Sequence, residues 1–115
     1  MKGEAGDKQR LLHILEAISE IESYIANSSF ETFLENSMMR FASIKQIEII
    51  GEAANYISEE TKIKFNKTEW RQLIGMRNIL IHEYFGVDNH LIWQVITDDI
   101  PELRIQIENI IALLK

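Results

Sequence analysis

Apolar side chains recur every three or four residues along most of this chain, and that spacing leaves few folds open. Leu11, Ile14, Leu15, Ile18, Ile21 and Ile25 set the pattern, which places them on one face of a helix and would scatter them over both faces of a strand. No segment shows clear strand alternation. With only 5 Gly and 1 Pro, an all-β or disordered chain is disfavoured. The 115 residues suit one compact domain, and a hydrophobic content of 46% is enough to fill its core.

The punctuation between apolar runs predicts the elements. Asp7 is the expected N-cap of the first helix. Asn27-Ser28-Ser29 breaks that helix and could cap a short turn carrying Phe30, Phe33 and Leu34. A long second helix is expected from about Ser37 to Glu60, with Met38, Phe41, Ile44, Ile47, Ile50, Ala54 and Ile57 as its apolar positions. Met39, Ile49, Ala53 and Tyr56 widen that arc, so burial is expected on more than one side. Gly51 costs helix propensity and predicts a close helix crossing. Lys62 to Lys67 reads as a polar, basic connector. Thr68 is the expected N-cap of a helix from about Glu69 to His82, with Arg71 at the capping-box position. Phe85-Gly86-Val87-Asp88 reads as a turn, with Asp88 capping the last helix, which Pro101 should kink or divide. The expected fold is all-α: an up-and-down four-helix bundle with a short extra helix. Residues 1–6 would form a flexible N-terminus and 7–115 a single domain. No internal repeat or linker is present.

With 12 Lys and Arg against 18 Asp and Glu, the net charge is −6, which disfavours broad electrostatic binding of nucleic acid. Any RNA contact must use a local basic pocket. The absence of cysteine excludes disulfides and thiolate metal sites and fits a reducing cytoplasm. The first residues lack an apolar signal region, and no stretch is long and apolar enough for a membrane span.

One segment carries the chemistry: Met76-Arg77-Asn78-Ile79-Leu80-Ile81-His82-Glu83-Tyr84. On an ideal helix with Arg77 at zero, Trp70 falls at roughly 20° and Tyr84 at roughly 340°. Leu73, Leu80, Ile81 and Ile74 lie within about 60° on either side. Arg77 thus sits in the middle of an apolar stripe, where a guanidinium needs an anionic or carbonyl partner. Asn78 and His82 fall at roughly 100° and 140°, one turn apart on a more polar flank. A single helix does not bring Arg77 and His82 together well. A symmetric dimer would, by lining one cleft with two copies.

Each residue also has a plainer reading. His82 could be a cation at a helix C-terminus. Arg77 could be a structural ion pair, with Glu52 as the partner. Tyr84 could be an aromatic at the core edge. Trp70 and Trp93 read as packing, and Met38-Met39 as core filler. Glu48 and Glu52, four apart, could hold a cation but more often form ion pairs. Asp98, Asp99 and Glu102 read as a solvated bend at Pro101. Gly86 stands where a zinc-protease motif starting at His82-Glu83 would need its second histidine, and His13, His82 and His90 lack metal-ligand spacing. No phosphate-binding glycine loop or cofactor motif is present.

The motif Arg77-x4-His82-x-Tyr84, with Asn78 after the arginine, resembles the signature of HEPN-domain ribonucleases. The segment from Gly75 to Asp88, together with Ile49-Ile50-Gly51-Glu52-Ala53-Ala54, Ile92-Trp93 and Pro101, resembles their HepT toxin branch. The resemblance runs from Asp7 onward. It implies a homodimeric helical bundle acting on RNA, such as tRNA, as a metal-independent endoribonuclease toxin without a cofactor. It also implies a minimal nucleotidyltransferase antitoxin that silences the toxin by transferring AMP to Tyr84. Arg77, His82 and Asn78 would be the catalytic set. Glu69 stands where relatives often have proline. Two alternatives stay open: a non-catalytic helical partner subunit of a nucleotidyltransferase complex, and a dimerisation module with no reaction.

Overall fold

A computed structural model describes the backbone of residues 3–82 and 88–114 and the side chains of residues 6–77 and 88–114. The chain forms the expected all-α bundle, and among the described residues there is no strand. Its elements are α1 (Gly3–Ile25), α2 (Phe30–Glu35), α3 (Ser37–Asn55), α4 (Glu59–Lys64), α5 (Trp70–His82), α6 (Asn89–Gln94) and α7 (Ile100–Leu113). A π-helical turn, Val95–Asp99, joins α6 to α7. Helix α3 lies between α1 and α5, and α7 packs on the other side of α1. The molecule measures 43 × 29 × 22 Å.

The 3.6-residue period of α1 delivers Leu11, Ile14, Ala17, Ile18 and Ile21 to the core, each 2% exposed or less. They meet Ile47, Ile50 and Ala54 of α3 and Ile100, Leu103, Ile107 and Ile110 of α7 in one buried cluster. Arg104 fastens α7 to α1: its Nη2 donates to Glu22 Oε1 and Ser19 Oγ at 2.7 Å each, and its Nε reaches both Glu22 oxygens. That carboxylate raises the already high pKa of Arg104.

The breaks fall where the turn chemistry demands them. Asn27 has φ 60, in the left-handed region that asparagine tolerates. Ser29 caps α2 by accepting from Thr32 N, and Asn36 ends α2 while capping α3 through Met39 N. Phe33 and Phe30 pack on Trp93, and Phe30 stacks on His90 with ring centroids 4.3 Å apart, which seats α2 against α6. Asp88 caps α6 through the amides of His90 and Leu91, as expected. Pro101 takes the first turn of α7, and the π-turn before it divides the last helix.

Four expectations need correction. Helix α1 begins at Gly3, so Asp7 is not its N-cap. Its carboxylate is 1% exposed and instead serves α4, accepting from Ser58 N at 2.9 Å, Ser58 Oγ at 2.6 Å and Thr61 Oγ1 at 2.5 Å. The second long helix stops at Asn55 rather than Glu60, because Ser58 opens a new helix by accepting from Thr61 N. Lys62–Lys67 is therefore not all connector: Glu59–Lys64 is α4. Met38 is not core filler, being 80% exposed, and Phe41 at 57% and Tyr56 at 58% also leave the expected buried arc. Met39 alone of the methionine pair packs against the core.

Candidate functional site

Helix α5 carries the motif, and its placement is set by three contacts. Trp70 at its start is 7% exposed, and its indole Nε1 donates to Phe65 O at 3.1 Å. This confirms Trp70 as a packing residue, and it ties α5 to the C-terminus of α4. Thr68, expected to cap α5, is buried just before it and accepts from Trp70 N through its carbonyl at 2.9 Å. Further along, α5 crosses α3 at Gly51. A Cβ on Gly51 would collide with the Cβ of Arg77 and lie 2.7 Å from the carbonyl oxygen of Leu73. The missing side chain is what lets Arg77 lie on α3, as the crossing read from Gly51 requires.

At that crossing Arg77 Nη1 donates to Glu52 Oε2. The arginine side chain is 21% exposed and the glutamate 50%. The ion pair expected from the apolar placement of Arg77 is thus present. Its two halves sit on neighbouring helices at the rim of the core, where the carboxylate stays hydrated and the guanidinium does not lie alone in apolar surroundings. Glu52 fixes the direction of the guanidinium. A fixed guanidinium is the geometry that recognises phosphate or carboxylate oxygens. Glu48 is paired with Lys45 at 3.9 Å, so the two glutamates form separate ion pairs and not a joint cation site. Among the described residues no group of three or more His, Cys, Asp or Glu is arranged to hold a metal ion.

Asn78 and His82 lie on the same helix, in its last two turns. Their side chains, and all of Tyr84, lie outside the described residues, as does the turn read at Phe85-Gly86-Val87. The structure therefore locates Arg77 in atomic detail and His82 by helical register. His13, the histidine on α1, faces a groove of about 340 Å³ with Glu16, Glu20 and Gln46 and lies within hydrogen-bond distance of Gln9. His90 stacks on Phe30. Neither meets Arg77 in the described contacts. Asp99 at the π-turn is exposed, and its pKa is raised by partial burial and then by Asp98 and Glu102, which fits a crowded acidic bend. Sequence reasoning did not foresee that Gly51 and Glu52 act on the same arginine. Their adjacency to each other was the available signal.

The fold and this crossing define a helical bundle whose penultimate long helix presents Arg77 on a glutamate and ends in His82. A family model described as ribonuclease HepT-like matches residues 14–110, and the chain belongs to that family. A protein of Thermococcus cleftensis named a probable ribonuclease HepT is 40% identical over 103 residues, 90% of this chain and 94% of that one. A Methanocaldococcus jannaschii protein named as a candidate RNase is 38% identical over 101 residues, 88% of this chain and 93% of its own length. A candidate RNase of Caldanaerobacter subterraneus subsp. tengcongensis is 39% identical over 101 residues, 88% of this chain and 90% of its own length. No solved structure matches this chain at a significant level. Among the described residues no helix is long and apolar enough to cross a membrane.

Proposed function

We propose that this chain is the toxin of a HEPN and minimal nucleotidyltransferase pair, and that it cuts RNA without a metal ion. The observation that carries this reading is Arg77, seated over Gly51 and aimed by Glu52, five residues before His82 on one helix. RNA supplies its own nucleophile. The 2′-hydroxyl gives its proton to a base and attacks the adjacent phosphorus. The bond to the 5′-oxygen breaks, and that oxygen takes a proton, leaving a 2′,3′-cyclic phosphate and a 5′-hydroxyl. His82 moves a proton near neutral pH. Arg77 holds the charge that grows on the phosphorane. Asn78 orients the imidazole.

Two copies of α5 facing each other in a homodimer would complete the cleft, since Arg77 and His82 lie about 140° apart on a single helix. Tyr84 is the acceptor of AMP: its phenol oxygen attacks the α-phosphorus of a nucleoside triphosphate held by the antitoxin, and pyrophosphate leaves. A bulky nucleotide beside His82 would then close the cleft to RNA. The relatives' ribonuclease names support the reaction class.

The deciding experiment is RNA cleavage by wild type and His82→Ala with chelator present. Cleavage by the wild type and its loss in the variant are expected; equal cleavage by both sinks the role of His82. Intact mass after co-expression with a nucleotidyltransferase should show AMP on wild type and none on Tyr84→Phe. The Arg77–Glu52 pair and the net charge of −6 favour a second reading, a non-catalytic partner subunit. AMP on Tyr84 without any cleavage by the unmodified protein would select it.

A further inference from the structure

We infer that Arg71 and Gly75 extend the cleft along α5 and hold the phosphate backbone of the RNA away from the point of cutting. The inference rests on the ribonuclease reading above and names a subsite for the same substrate. On the scale that puts Arg77 at zero, Arg71 falls at roughly 120° and Gly75 at roughly 160°. Asn78 and His82 occupy register positions at about 100° and 140°, so the four share one arc of about 60°. This is the flank away from α3, which α5 meets at Leu73 and Arg77.

Two features of this arc have no partner among the described residues. Gly75 lies inside a helix, where glycine is a poor former, yet a Cβ added there would find no atom of the described residues within 4 Å. Gly51 has a neighbour that requires it, whereas among the described residues Gly75 has none. Arg71 is exposed, and among the described residues it makes no hydrogen bond or ion pair. A polyanion uses both features. The bare backbone at Gly75 lets a strand lie close on the helix, and Arg71 meets a phosphate oxygen there. Arg71 stands about 16 Å along the axis from His82, so its phosphate is a few nucleotides from the cut. In a chain with net charge −6, such a local contact is the means by which RNA can be held.

The test uses the purified full chain and a short single-stranded RNA carrying 2′-O-methyl groups, which binds without being cut. Arg71→Gln should weaken binding about tenfold at low salt. It should also flatten the dependence of log affinity on log salt by about 0.7. Lys8→Gln, the same charge change at an exposed position on α1, should do less. Gly75→Ala should raise the melting temperature by a few degrees while weakening RNA binding, because it improves the helix and fills the approach. The inference is overturned if Arg71→Gln keeps the wild-type affinity and salt slope, or if Gly75→Ala binds RNA as well as wild type. It is also overturned if either variant changes the sedimentation mass with RNA affinity intact, which would make this face a contact between copies. A wild type that binds and cuts RNA, with Arg71 and Gly75 indifferent, defeats this inference alone. A wild type that neither binds nor cuts defeats the ribonuclease reading with it.

Discussion

Arg77, Gly51 and Glu52 act as one device, and its weak point is the glycine. Gly51→Ala puts a methyl group against the Arg77 Cβ and the Leu73 carbonyl, neither of which can swing aside as a side-chain tip could. It should destabilise the fold by about 1–3 kcal/mol, read from urea unfolding, and lower RNA cleavage by shifting Arg77. Glu52→Gln separates orientation from charge. The half-exposed pair contributes about 1 kcal/mol or less to stability. The substitution should lower KM for RNA, because a carboxylate no longer competes with phosphate, and lower kcat, because the guanidinium loses its aim. Steady-state kinetics check both. Much of this was legible in the sequence: an arginine in an apolar stripe demands a partner, and a glycine amid good helix formers implies a crossing. That both demands meet at one point was not, because the partners lie 25 residues apart and only packing brings them together.

Among the elements, α4 was hidden and α1 was plain, for opposite physical reasons. Helix α1, 23 residues long, announces itself by the apolar period from Leu11 to Ile25. Helix α4 has six residues, mostly charged, and is too short to stand alone. It exists because Asp7 satisfies Ser58 and Thr61 at its N-terminus, which no local pattern reveals. Burial pushes the Asp7 carboxyl up, but hydrogen bonds from Ser58 and Thr61 and the charge of Arg10 outweigh it and hold the pKa below its ordinary value. The folded group therefore binds its proton less readily than the unfolded one. Its contribution is fully present above the unfolded pKa and is lost as pH falls through the folded one. Asp7→Asn should cost about 2 kcal/mol at neutral pH, and the gap to wild type should narrow below pH 3.8, followed by thermal melts across pH. Met38 and Phe41 teach the converse: an apolar period marks a face but does not say that another element covers it.

For the whole molecule, the order α5, α3, α1, α7 places the motif helix at one side of the bundle and the Arg104 clamp at the other. A second copy can then face α5 without disturbing the core. The proposed dimer should sediment at about twice the chain mass, and its melting temperature should rise with protein concentration. Loss of that dependence in a cleavage-competent protein would show that one copy suffices. The Asp7 contact also bears on how the chain comes off the ribosome. Its carboxylate is made 51 residues before Ser58, so α1 must wait for a partner not yet synthesised. Until that loop closes, the first turn of α4 lacks the buried carboxylate that holds Ser58 and Thr61. Amide protection in α4 should accordingly arise together with the docking of α1 and never ahead of it, which makes this short helix a reporter of the moment when the chain's beginning and middle first recognise each other.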